Sequence, residues 1–529
     1  MNQEHFAIVP DLSAVDENQP LLAPKRVQAI ACNGGSYATN ATIDHTPSRA
    51  GGNHNSHADK PLKTCLRTEF RLLSSYTMPI LLNQMFRFIP IAANTLSVSH
   101  LGPIYLGSMA LATLTLNVTG LGVALGFCSA LDTLCSQAWC SNPRVMNILM
   151  LRTAFILVLL LPLQFSLYYH SEKIFLALGQ GEEAASLASM YLKISCLGLP
   201  ANAGFECLRR WMQAQGQIRV PTIIIMVMAP LTIGLNFLLV WGPKPVNFGF
   251  EGAPLAITFS LNLQFLIAVI CTNRCVSPHP DLQENPAPWL SLQVFENLGP
   301  NIWFGFFGVL QTCSESWCWE IVTFTTSYFG ASALAAQSIL MITEQCMYQV
   351  PIALSIASSI RIGNLLGARQ PEQAAMASNA AFLLATLFGV LVMTMLLLAR
   401  NTWATIFTSD RNVVELVAKV LPLMAVFQVA DALAGVCAGV MRGASRASAC
   451  AIISLGCYYL FGLPIGFALA FIPQIHLGFV GLWLGLTIAL FAVSVLSVLY
   501  IMRIPWQQES ERITAQAEAD QVGLPRSHI

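Results

Sequence analysis

Charge is what this chain has least of. Charged residues make up 10% of its 529 residues against 55% hydrophobic, where a soluble domain carries roughly a quarter charged residues. That deficit excludes water as the solvent for most of the chain. Lysine plus arginine balance aspartate plus glutamate at 27 each. The basic residues sit in short segments between apolar runs and form no basic face, which excludes a nucleic-acid surface. The 15 cysteines include no CxxC pair and no His partner at zinc-like spacing, so they read as small apolar packing residues. A GxxxxGK[ST] phosphate loop is absent, which excludes a built-in ATPase. His100, His170, His476 and the other histidines lie in tails or loops without clustering. No enzyme constellation, metal site or other cofactor site is expected.

What the chain does have is a recurring apolar run. From Leu72 to Met502 about twelve runs of about 20 residues follow one another, each long enough to cross roughly 30 Å of hydrocarbon as a helix. Lipid offers no partners to open strand edges, so an all-α membrane fold is expected. Residues 1–62, rich in Asn, Ser, Gly, His and Pro, read as a disordered tail with no secretory signal. Within that tail Glu17, Leu21 and Leu22 resemble an acidic dileucine address for a clathrin adaptor, which points to a vacuolar or endosomal membrane, with the plasma membrane as the alternative.

The Pro-rich segment 272–298, containing "SPHPDLQENPAPW", reads as a linker between two six-helix halves, 63–271 and 299–503, with a second tail at 504–529. The halves look related: "MQAQGQIRVPTII" from Met212 sits beside "MRGASRASACAII" from Met441. A repeat of an even number of helices keeps its orientation, so two pseudo-symmetric lobes should flank a central cavity. Basic residues at the even-numbered helix ends, among them Arg144, Arg209, Arg210, Arg361, Arg442 and Arg503, place those ends, the linker and both termini in the cytoplasm.

Three segments carry a family resemblance. "ALDTLCSQAW" (Ala130–Trp139), "LRRWMQAQG" (Leu208–Gly216) and "RIGNLLGA" (Arg361–Ala368) resemble the signatures that follow the second, fourth and eighth helices of the multidrug and toxic compound extrusion (MATE) family, its eukaryotic branch in particular. The similarity spans about Leu72 to Arg503 and leaves both tails uncovered. It implies a two-lobed exporter that swaps a proton, or in some members sodium, for a cationic or other amphipathic organic solute. A flippase of lipid-linked molecules on the same architecture, or a membrane sensor without flux, are the competing readings.

An ionisable residue near the bilayer centre costs at least about 2.5–3.5 kcal/mol, so each one needs a reason. Glu315 and Glu320 in "CSESWCWE" and Asp431 in "VADALAGV" fall where the resembled family carries acids. They are the candidates for proton coupling. Five residues on a helix turn through about 500°, so Glu315 and Glu320 diverge by about 140° and Glu315 is the expected cavity residue. Glu344 has no counterpart in the family pattern; it pairs across helices or extends the acidic cavity. Arg87, near the middle of the first run, aligns opposite Glu315 in the repeat; a pairing with a cavity carboxylate is one expectation, and a structural salt bridge or snorkelling the alternative. Asn202 takes the repeat position of Asp431 and is expected to contact solute or to pack. Trp317, Trp319, Tyr348 and Gln84 complete the substrate-contact candidates, the aromatics because a cation over their faces gains about 0.5–2 kcal/mol.

Overall fold

A computed structural model describes residues 62–275, 292–474 and 477–522. Glu17, Leu21, Leu22 and most of the inter-half segment lie outside the described residues. The apolar runs are helices throughout: α1 (Leu62–Ser99), α2 (Pro103–Ser141), α3 (Pro143–Tyr169), α4 (Glu182–Ala214), α5 (Arg219–Trp241) and α6 (Gly252–Cys275), then α7 (Gly299–Thr326), α8 (Ala331–Gly367), α9 (Pro371–Leu398), α10 (Arg411–Gly443), α11 (Ala447–Phe471) and α12 (Phe479–Met502). A final helix, α13 (Trp506–Val522), occupies much of the C-terminal segment.

Helix starts follow local chemistry. Proline opens α2, α3 and α9, where its missing N–H goes unneeded and its fixed φ suits the first turn. Asp410 caps α10 by accepting from the Asn412 backbone N–H at 2.9 Å. Gly330, at φ 94°, makes the turn between α7 and α8 that a side chain would resist. A π turn interrupts α2 at Asn117–Leu121 and α11 at Gly456–Gly462.

Among the described residues, ten of these helices are long and apolar enough to cross a membrane. The 38-residue α1 and the 28-residue α7 are long enough but fall short in hydropathy. The cause is in their sequences, because Asn83, Gln84 and Arg87 interrupt α1 and Gln311, Glu315 and Glu320 interrupt α7. Several helices also overrun their apolar spans. The three signature segments expected after helices instead form their last turns, so Arg209, Arg210 and Arg361 ride on helices.

Outward-facing Val158, Leu159, Leu163, Leu391 and Leu398 leave an apolar belt for lipid. Inside, α1 packs on α5 of its own half and on α8 and α9 of the other; α7 packs on α2. Gly439 lets the α10 backbone settle directly on the Ser355 carbonyl of α8, a close approach that any Cβ would block.

Candidate functional site: a cavity with two unlike walls

A cavity of about 470 Å³ opens among α1, α2, α4, α7, α8, α10, α11 and α12, within the 300–1,000 Å³ range of sites for drug-sized ligands. Helical spacing decides which side chains reach it. Gln84, Arg87 and Ile91 line it from α1; Gln311, Thr312, Glu315 and Trp319 from α7; Glu344, Tyr348, Ile352 and Ser355 from α8; Asp431, Ala434, Gly435, Ala438 and Arg442 from α10. Each set recurs every three or four residues, one face of a helix.

The wall built by α7, α8 and α10 is acidic. Glu344 and Asp431 are buried and Glu315 is half-buried. The three are near enough to interact electrostatically with one another. Among the described residues, none of them has an ion-pair partner. Asp431 Oδ2 is a buried acceptor with no hydrogen-bond partner. Arg442, on the same wall, donates from Nη2 to Ser355 Oγ at 2.9 Å, and its field reaches Glu315. Trp319 packs at the edge of this wall against Phe427 and Trp483, at centroid separations of 5.7 and 5.6 Å.

The wall built by α1, α2 and α4 is made of ion pairs. Glu206 is fully buried and takes Arg87 Nη1 on Oε1 at 2.7 Å and Arg209 Nη2 on Oε2 at 2.5 Å. Arg210 is buried and pairs with Asp132 of α2. These pairs bind α1 and α2 to α4.

Several sequence expectations land elsewhere. Arg87 pairs with Glu206 of its own half instead of Glu315, because α4 supplies a buried carboxylate within reach. Glu320 and Trp317 are exposed and absent from the cavity lining; helical rotation carries them away from the face of Glu315. Asn202 is buried one turn before Glu206 and also lies off the lining. Glu206 and Asp132 escaped the sequence reading. Their signal was present: "FECLRRW" sets Glu206 three residues before Arg209, a helical ion-pair spacing.

One end of the cavity is shut. Thr133 Oγ1 donates to the Arg442 carbonyl at 2.7 Å, and Gln137 Nε2 to the Gly443 carbonyl and Ser445 Oγ, each at 2.8 Å. Arg361 grips Glu69 of α1 through two bonds of 3.0 and 2.7 Å. Across this end runs α13, where Glu509 pairs with Arg446 and Ser510 Oγ donates to the Leu366 carbonyl at 3.1 Å.

The MatE family model matches this chain twice, at residues 79–238 and 309–468. The chain belongs to the MatE family. The two matches assign α1, α2 and α4 to one repeat and α7, α8 and α10 to the other, so the cavity's two walls come from different repeats. Human multidrug and toxin extrusion protein 1 is 31% identical over 468 residues, 88% of this chain and 80% of the relative. An uncharacterised transporter of Schizosaccharomyces pombe is 32% identical over 453 residues, 85% of this chain and 82% of the relative. The crystal structure of the eukaryotic MATE transporter AtDTX14 superposes with a TM-score of 0.75 at 27% identity, over 86% of this chain and all 100% of that one. This MatE protein is therefore an integral, multi-pass, all-α membrane protein. It is a secondary-active, cation-coupled antiporter of small organic solutes and not an enzyme.

Proposed function

We propose that this MatE transporter exports organic, cationic or amphipathic solutes in exchange for protons, through alternating access of two six-helix lobes made of α1–α6 and α7–α12. The observation that carries the reading is the wall of Glu315, Glu344 and Asp431, three carboxyls in a cavity without an ion-pair partner among the described residues. Three carboxylates so close together, with Arg442 as the one cation on their wall among the described residues, are costly to keep ionised out of water, so the wall is stable when it holds protons or a cation and unstable when it holds neither. That condition makes the two occupants compete, which is the thermodynamic content of exchange.

In this assignment Glu315 and Asp431 carry the exchanged proton and Glu344 shares it, while Trp319 and Tyr348 hold the solute by their faces and Gln84 by its amide. Glu320, Trp317 and Asn202, off the cavity, have no part in it. Sodium is the competing coupling ion, since carboxylates also ligate it. The shut end is assigned to the cytoplasm. Exposed Arg67, Arg71, Arg144, Arg369 and Arg503 lie near that end, and positive charge favours the cytoplasmic side. The solute then leaves toward the opposite face, whether a vacuolar lumen or the exterior.

Uptake of a fluorescent organic cation into proteoliposomes tests the reading. An imposed pH gradient should drive uptake without sodium, and Glu315→Gln should abolish the drive. Uptake that follows a sodium gradient alone, or survives Glu315→Gln with its pH dependence intact, would overturn it.

A further inference from the structure

The ion-paired wall does not balance. Arg87, Arg209 and Arg210 all line the cavity, and among the described residues their ion-pair partners are Glu206 and Asp132. Three guanidinium groups against two carboxylates leave one formal positive charge on this wall. Glu206 cannot take the surplus, since its single charge is already shared between Arg87 and Arg209 and none of its side chain is exposed. Arg87 is the arginine that stays open: 32% of its side chain is accessible, and its ion pair occupies Nη1. A guanidinium offers five N–H donors in a planar fork matched to a carboxylate. Its remaining donors therefore meet whatever enters the cavity.

A cation alone would use only half of this site, because the surplus charge of the Arg87 wall repels it. We propose that Arg87 forms an anion subsite, and that the preferred substrates are zwitterionic aromatic amphiphiles: a carboxylate held by Arg87, a cationic or proton-donating group facing Glu315 and Glu344, and the ring system lying toward Trp319. The proposal rests on the assignment of the acidic wall given under Proposed function and narrows its substrate class. It also accounts for a charged residue near the middle of α1, since the α1–α4 contact alone could be made with a neutral pair.

The test is equilibrium binding to purified protein in detergent near neutral pH, read by fluorescence polarisation, with a zwitterionic rhodamine free acid and its cationic methyl ester. The dyes differ by the carboxylate alone. The wild type should bind the acid about tenfold more tightly than the ester, the scale of one charge-assisted fork. In Arg87→Gln the acid-to-ester ratio should collapse to within about twofold of unity, while Arg87→Lys, which keeps the charge but loses the fork, should fall between. Equal affinities, tighter binding of the ester, or a ratio unchanged by Arg87→Gln would overturn the subsite. If the variants fail to fold, the wild-type pair of dyes still decides. Because this readout uses no gradient, it stands apart from the proton-exchange reading, whose failure shows separately in gradient-driven uptake.

Discussion

The two walls of the cavity use the same residue types to opposite ends. On the α1–α4 side every carboxylate is matched: Glu206 holds two arginines and Asp132 holds one. On the α7–α10 side Glu315, Glu344 and Asp431 share one cavity and, among the described residues, no ion pair. A paired buried charge is structural, since its partner would be stranded if it neutralised. An unpaired one is free to change its occupant, so Glu206 and Asp132 should govern stability and Glu315, Glu344 and Asp431 proton exchange.

The largest expected effect breaks the first wall. Glu206→Ala or Asp132→Ala leaves buried guanidinium groups unmatched and should destabilise the protein by about 3–5 kcal/mol, read as a lower unfolding midpoint in detergent. A midpoint equal to that of the wild type would erase the contrast. On the second wall, Asp431→Asn or Glu315→Gln should leave that midpoint within about 1 kcal/mol, since no pair is lost. Gradient-driven transport should nevertheless fall by about tenfold or more, roughly 1.4 kcal/mol. A smaller effect probes the closed end, where both repeats meet. Gln137→Ala removes three cross-repeat hydrogen bonds and should weaken closure by about 1–2 kcal/mol, seen as faster thiol labelling of a cysteine placed at the buried Ala444. The smallest effect lies within α7: Trp317→Ala and Glu320→Gln should change solute affinity by less than about twofold, whereas Trp319→Ala should cost more.

The acidic wall was the legible part. Lone acids in apolar runs stand out against the hydrocarbon, and the 100° step per residue by itself separates Glu315 from Glu320. The ion-paired wall was hidden by the opposite circumstance. Arg209 and Arg210 end a run whose hydropathy is fading, so they read as interfacial charges; α4 in fact continues to Ala214 and buries both. Arg361 was hidden in the same way, its partner Glu69 being 292 residues distant in sequence. A periodic pattern shows where a helix presents a face, but not which other helix stands opposite. For Arg87 that second fact decided the partner.

The most direct test of the account is proton release on ligand binding, measured in weakly buffered detergent solution with a non-titratable organic cation such as tetraphenylphosphonium. Any proton that appears must come from the protein. The wild type should release about one proton per cation bound; Glu315→Gln combined with Asp431→Asn should release none, while Gln137→Ala should match the wild type. Undiminished release from the doubly substituted protein would contradict the claim that the acidic wall is where proton and solute compete.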